Sequence, residues 1–85
     1  MIRNVEIINI DGETFVSYYS EGDFEYSIGI GQRCKVILDK KCFVGTVSKI
    51  NDNSFTLRCD EESVEIALTD ICNLYGEDEI EIWRR

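Results

Sequence analysis

The side chains of this sequence that could do chemistry are few in kind: Cys34, Cys42, Cys59 and Cys72, 17 acids and 9 bases, with no histidine. Four cysteines invite a metal site, yet no two stand as C-x-x-C and no imidazole completes a ligand set. Paired as disulfides they would need an oxidising compartment, and nothing in the sequence points to one. Cys34 and Cys59 instead fall on the apolar side of alternating stretches, where cysteine behaves as a small hydrophobe. A cysteine nucleophile needs a neighbouring base, and Lys35 and Lys41 are the candidates beside Cys34 and Cys42. General acid–base work near neutral pH lacks its usual imidazole. The acids Glu61-Glu62 and Glu77-Asp78-Glu79 sit among turn residues, where solvated surface carboxylates are the ordinary outcome. Gly29-x-Gly31 lacks the lysine and the following helix of a phosphate-binding loop. These features argue against an enzyme and imply neither a cofactor nor a metal.

Charge is distributed unevenly about the net −8. Residues 1–31 hold one base against six acids (−5), residues 32–60 six bases against three acids (+3), and residues 61–85 two bases against eight acids (−6). A net-acidic chain repels phosphate backbones at long range, so nucleic acid could be met only at short range, through the central basic segment. Arg33 and Lys35 face outward on one expected strand and Arg58 on another, with Lys41 in a turn. Arg33, Lys35, Lys41 and Arg58 are therefore the candidate basic face. Tyr18, Tyr19, Tyr75 and Trp83 are the rings that could stack on bases. Against this, the acids nearby are numerous enough to neutralise the patch within the chain.

Strands must position all of these. Val5, Ile7, Ile8 and Ile10 favour extended chain, and Asp11-Gly12 is a two-residue hairpin signal. The returning strand, Thr14 to Tyr19, pairs Ile10 with Glu13, Ile8 with Phe15, Ile7 with Val16 and Val5 with Tyr18. That register sets Val5, Ile7, Val16 and Tyr18 on one face, the candidate partner-binding surface, and Ile8, Ile10 and Phe15 on the other. A hairpin with two apolar faces cannot spend both on one small core, so one should meet a further partner. The alternating segment Phe24–Ile30 and a second copy of the chain are the two options, and a homodimer is the expectation. Beyond Gly31, alternation marks strands over Gln32–Leu38, Phe43–Ile50, Ser54–Cys59 and Ser63–Leu68. Gly45 should bend the second of these, and Ile50 breaks phase, which predicts a bulge near Ser48–Lys49. Thr69-Asp70 reads as a single 3₁₀ turn, Tyr75–Asp78 as loop, and Glu79–Trp83 as the closing strand.

From Gly31 onward this order resembles the Sm-like branch of the Src-homology-3-type small barrels. The stretch Phe43-Val44-Gly45-Thr46-Val47-Ser48-Lys49-Ile50-Asn51-Asp52, with Phe55 and Leu57 after it, carries the likeness. It is also similar to accessory barrels appended to some bacterial ribosome-maturation and biotin-ligase proteins. The resemblance implies a five-stranded SH3-like or Sm-like barrel over residues 31–85, with a 3₁₀ turn before its last strand. Residues 1–30 would form the N-terminal hairpin and connecting strand of the same single all-β domain. Sm proteins that bind RNA carry an Asn or Asp in the turn occupied here by Asn51-Asp52, and also an Arg-Gly pair. Ile66-Ala67-Leu68-Thr69 stands in that pair's place, so base reading is not implied.

The functional expectation is a non-catalytic protein-interaction or oligomerisation module. The alternatives are a nucleic-acid-associated barrel using the basic face, and an acidic decoy that occupies a basic site on a nucleic-acid enzyme. No apolar run reaches the roughly 18 residues of a membrane span and no signal-like apolar core follows Arg3, which leads to a cytoplasmic expectation.

Overall fold

The computed structural model describes residues 3–19 and 25–77. They form eight strands: β1 Arg3–Ile10, β2 Glu13–Tyr19, β3 Glu25–Gly29, β4 Arg33–Ile37, β5 Cys42–Ile50, β6 Ser54–Cys59, β7 Glu62–Ala67 and β8 Asn73–Gly76. A 3₁₀ turn, Leu68–Asp70, precedes β8. The strands make two sheets, one ordered β1-β2-β3 and the other β7-β6-β5-β4-β8.

This corrects the expected architecture. The chain is not a single five-stranded SH3-like or Sm-like barrel with a hairpin left over. Among the described residues the five-stranded sheet stays open, with β7 at one edge and β8 at the other. Its apolar side is covered by the other sheet, because β2 lies against β5 and β3 against β8. The physical reason is length. β4 has five residues and β8 four, too little sheet to curl round and fill its own interior, so a second layer supplies the missing cover. Val16, Tyr18 and Ile28 of the first sheet join Cys34, Val36, Val47, Phe55, Leu57, Ile66 and Leu74 of the second in one buried cluster.

Local chemistry explains the details. Asp11 (φ 52°) and Gly12 (φ 84°) both adopt positive φ, the requirement of a type I′ turn, whose twist matches that of the flanking strands. Ile10 pairs with Glu13, Ile8 with Phe15 and Ile7 with Val16, as the two-residue loop demands. The expected Val5–Tyr18 pair does not form. A register shift between Arg3 and Glu6 adds a residue to β1 there, and Asn4 takes φ 54°, a conformation asparagine tolerates better than most residues. A second shift falls between Val47 and Lys49, where the broken alternation before Ile50 predicts it.

Gly45 has its own cause. It pairs with Cys34 on β4, and a Cβ added to it would run into the Arg58 carbonyl oxygen of β6 and lie 3.1 Å from Cys59 Sγ. Only a residue without a side chain permits that approach. The passage from one sheet to the other is spliced at Val47, whose C=O accepts from Gly31 N–H (2.8 Å) and whose N–H donates to Gln32 C=O (2.9 Å).

The C-terminal strand also differs from expectation. Tyr75 and Gly76, expected in a loop, belong with Asn73 and Leu74 to β8, which pairs Val36 with Leu74 and Cys34 with Gly76. Leu74 is buried in the common core, and that burial holds so short a strand in place. The strand expected over residues 79–83 lies outside the described residues, as do the turn at residues 20–23 and Phe24. Among the described residues no helix is long and apolar enough to cross a membrane.

Candidate interaction surface

The hairpin face carrying Val5, Ile7, Val16 and Tyr18 is turned inward. Val16 and Tyr18 are fully buried and Val5 and Ile7 pack against the same cluster. The Tyr18 ring stacks on Tyr26 at 5.6 Å, and its hydroxyl accepts a hydrogen bond from Gly76 N–H at 2.9 Å. The four residues proposed as a docking surface therefore face the chain's own second sheet. The described part of the Phe24–Ile30 segment does not lie over the opposite face either: β3, Glu25–Gly29, adds to the edge of β2.

That opposite face is open to solvent at the Asp11-Gly12 end, where Ile10 and Glu13 are exposed, and is covered over Ser17, which is buried. Register places Ile8, Ile10 and Phe15 on it, together with Glu6, Glu13, Ser17, Ser27 and Glu25. Phe15 lies over Gly29, where an added Cβ would sit 3.0 Å from the ring. Gln32 Oε1 accepts from Gly29 N–H at 2.6 Å and so fixes the corner that carries Ile30. The result is a groove of about 530 Å³ lined by Gly12, Glu13, Phe15, Gly29 and Ile30, among others. Ile10 is 50% exposed and Ile30 61% exposed. Glu25 is oriented on the same face by hydrogen bonds from Ser17 Oγ (3.2 Å) and Tyr19 Oη (3.4 Å).

The acids lie on the outer face. Glu6, Glu13 and Glu25 alternate in phase with Ile8, Ile10 and Phe15, and carboxylates belong on the solvent side. Ile30 departs from expectation: alternation puts it on the apolar side with Tyr26 and Ile28, but β3 ends at Gly29 and Ile30 is exposed in the connection between the sheets.

Three of the four expected basic residues come together. Arg33 pairs with Thr46 and Thr46 with Arg58, so the two arginines flank one threonine on the outer face of the five-stranded sheet. Two strand spacings put their backbones roughly 10 Å apart. Lys35 lies two residues along β4 from Arg33, between Val44 and Tyr75, and Val44 is 37% exposed. Lys41 is not part of this row; it lies in the β4–β5 turn, where its C=O accepts from Leu38 N–H. Arg58 also shares a shallow polar groove with Asp60, Glu61 and Glu62, which reduces the positive field at that end of the row. Of the candidate stacking rings, Tyr18 is buried, Tyr75 adjoins Lys35, and Trp83 lies outside the described residues.

The cysteines are chemically quiet where they are buried. Burial, with a smaller contribution from Cys59, pushes the Cys34 thiol up to about 12. Cys59 is raised as well, by burial and then by Glu62 and Asp60. A thiol that holds its proton is neither a good nucleophile nor a ready metal ligand. Cys42 and Cys72 are exposed and free. Among the described residues no cluster of cysteines and carboxylates is arranged to hold a metal ion.

With this geometry in hand, comparison with known proteins adds no analogy: no protein-family model, no curated protein and no solved structure matches the chain.

Proposed function

We propose that this chain is a non-catalytic protein-interaction module that docks a partner on the outer face of its three-stranded sheet, at the end closed by the Asp11-Gly12 turn. One observation carries the reading: Ile10 and Ile30, at 50% and 61% exposure, flank Phe15 and the groove beside it. Burying an isoleucine fully is worth about 1.5–3 kcal/mol, so a partner covering two half-exposed ones recovers a similar sum. The hairpin and the Gln32-braced corner present these side chains on defined backbone, which lowers the ordering cost of docking.

The test is comparative affinity capture from an extract of the source cell, using wild type and the Ile10→Ser/Ile30→Ser double variant. Both sites are solvent-facing, so the variant should melt within about 2 °C of wild type, as exposed substitutions do. A protein retained by wild type and lost by the variant supports the reading. An unchanged set of captured proteins refutes it.

A second reading is favoured by the row Arg33–Thr46–Arg58 with Lys35 and Tyr75 beside it. On this reading the outer face of the five-stranded sheet holds a polyanion such as single-stranded nucleic acid. Its affinity for an oligonucleotide should fall steeply with salt and drop in Arg33→Ala/Lys35→Ala. No binding at low salt removes it.

A further inference from the structure

The surface around the groove has a sign, and the sign restricts what can sit on it. Building on the docking face proposed above, we infer that its partner presents basic side chains around an apolar strip, and is not a second copy of this chain meeting the same face. The outer face carries Glu6, Glu13 and Glu25, with Asp11 at the turn, all exposed. The only base among residues 3–32 is Arg3. Glu13 pairs directly with Ile10 and lines the groove, so any partner that covers Ile10 also covers or borders that carboxylate.

A two-fold self-contact brings a patch against itself. Here that would set the carboxylates of Glu6, Asp11, Glu13 and Glu25 against the same acidic patch of the second copy while removing water from between them, an arrangement that suppresses association. A lysine- or arginine-bearing partner reverses the sign of the same term. It gains steering toward the face during encounter and pairs the rim on arrival, while its apolar strip covers Ile10, Phe15 and Ile30.

Binding of labelled synthetic peptides to the full chain, followed by fluorescence anisotropy at two salt concentrations, tests this. The probe is a short peptide alternating lysine and leucine. One control replaces its lysines with serine and a second replaces its leucines with serine. The variants are Ile10→Ser/Ile30→Ser and Glu6→Lys/Glu13→Lys, each checked for folding by circular dichroism. The expected result is that wild type binds the lysine–leucine peptide, more weakly at higher salt. Both controls and both variants should weaken binding by about tenfold or more, the loss of one good contact. If the serine–leucine control binds equally well, or Glu6→Lys/Glu13→Lys has no effect, the charge assignment fails while the docking face stands. If Ile10→Ser/Ile30→Ser binds as wild type does, the docking face itself fails. If wild type does not bind the probe, the basic-partner inference is overturned. Sedimentation of wild type closes the remaining route. A mass that rises with concentration, and no longer does so in Ile10→Ser/Ile30→Ser, makes a second copy the occupant and also overturns the inference.

Discussion

Replacing Gly45 with alanine should be among the most damaging single-methyl additions in this chain. Gly45 is not one of the residues with positive φ, so the cost is one of space and not of backbone conformation. A Cβ there meets the Arg58 carbonyl oxygen, lies 2.9 Å from the Arg58 carbonyl carbon and 3.1 Å from Cys59 Sγ. The sulfur ends a short side chain and can swing away. The carbonyl is backbone of β6, held in the ladder by the Thr46–Arg58 and Val47–Leu57 pairs, and can move only if β5 and β6 separate. Overpacking of this kind costs about 1–3 kcal/mol, offset by roughly 0.5–1 kcal/mol from the lower entropy of alanine in the unfolded chain. Because the obstacle is backbone, the cost belongs at the upper end of that range, and the net loss of about 2 kcal/mol corresponds to roughly 8–16 °C in melting temperature for a domain of this size. Thermal and urea denaturation followed by circular dichroism measure it. Gly12→Ala and Gly31→Ala are the controls, since their φ values are +84° and +92° and nothing lies within 4 Å of an added Cβ. They carry only the left-handed backbone cost of about 1–2 kcal/mol. Gly45→Ala/Cys59→Ala should remain as unstable as the single variant. Rescue by Cys59→Ala, or a Gly45→Ala melting point within about 2 °C of wild type, would refute the backbone-contact argument.

Other outcomes follow from the same geometry. With its pKa raised from the ordinary 9.0 to about 12 by burial, the Cys34 thiol keeps its proton in the fold after the unfolded chain has released it. Its contribution is therefore complete below about pH 9 and is lost as pH rises toward 12, at about 1.4 kcal/mol per pH unit. Urea midpoints of wild type should converge on those of Cys34→Ala across that window, and parallel profiles would count against it. Tyr18→Phe removes the acceptor for Gly76 N–H. It should cost about 1 kcal/mol and speed amide exchange at Gly76 more than at Val36, with equal protection in both variants as the contrary result. Val16→Ala, in the core, should cost about 2 kcal/mol or more, whereas Ile10→Ser should stay within about 0.5 kcal/mol. Equal losses would mean that the two hairpin faces have been assigned the wrong way round.

Much of the strand order could be read from the residues because its causes are local. Asp11-Gly12 sets a hairpin register through backbone conformation, and the phase break before Ile50 marks a bulge, both without help from distant parts of the chain. The 3₁₀ turn at Leu68–Asp70 is of the same kind. Alternation likewise puts Cys34, Val36 and Leu38, Phe55, Leu57 and Cys59, and Val64, Ile66 and Leu68 on one side; Cys34, Val36, Phe55, Leu57 and Ile66 are buried, and the other four are half-buried against the same core.

What tertiary structure decided was how the layers meet. Pattern alone showed that the hairpin has two apolar faces, and only the packing of β2 on β5 and β3 on β8 chose Val16 and Tyr18 for the core and left Ile10 outside. Leu74 becomes part of a strand because Val36 offers it a ladder and a buried site, a long-range reward absent from the segment's own turn-like composition. The same holds for the row Arg33–Thr46–Arg58, which exists only once β4, β5 and β6 are in register. Local sequence specifies backbone conformation and periodicity, which depend on neighbours along the chain. The choice between two equally apolar faces depends on which one finds surface to bury against, and that is settled only in three dimensions.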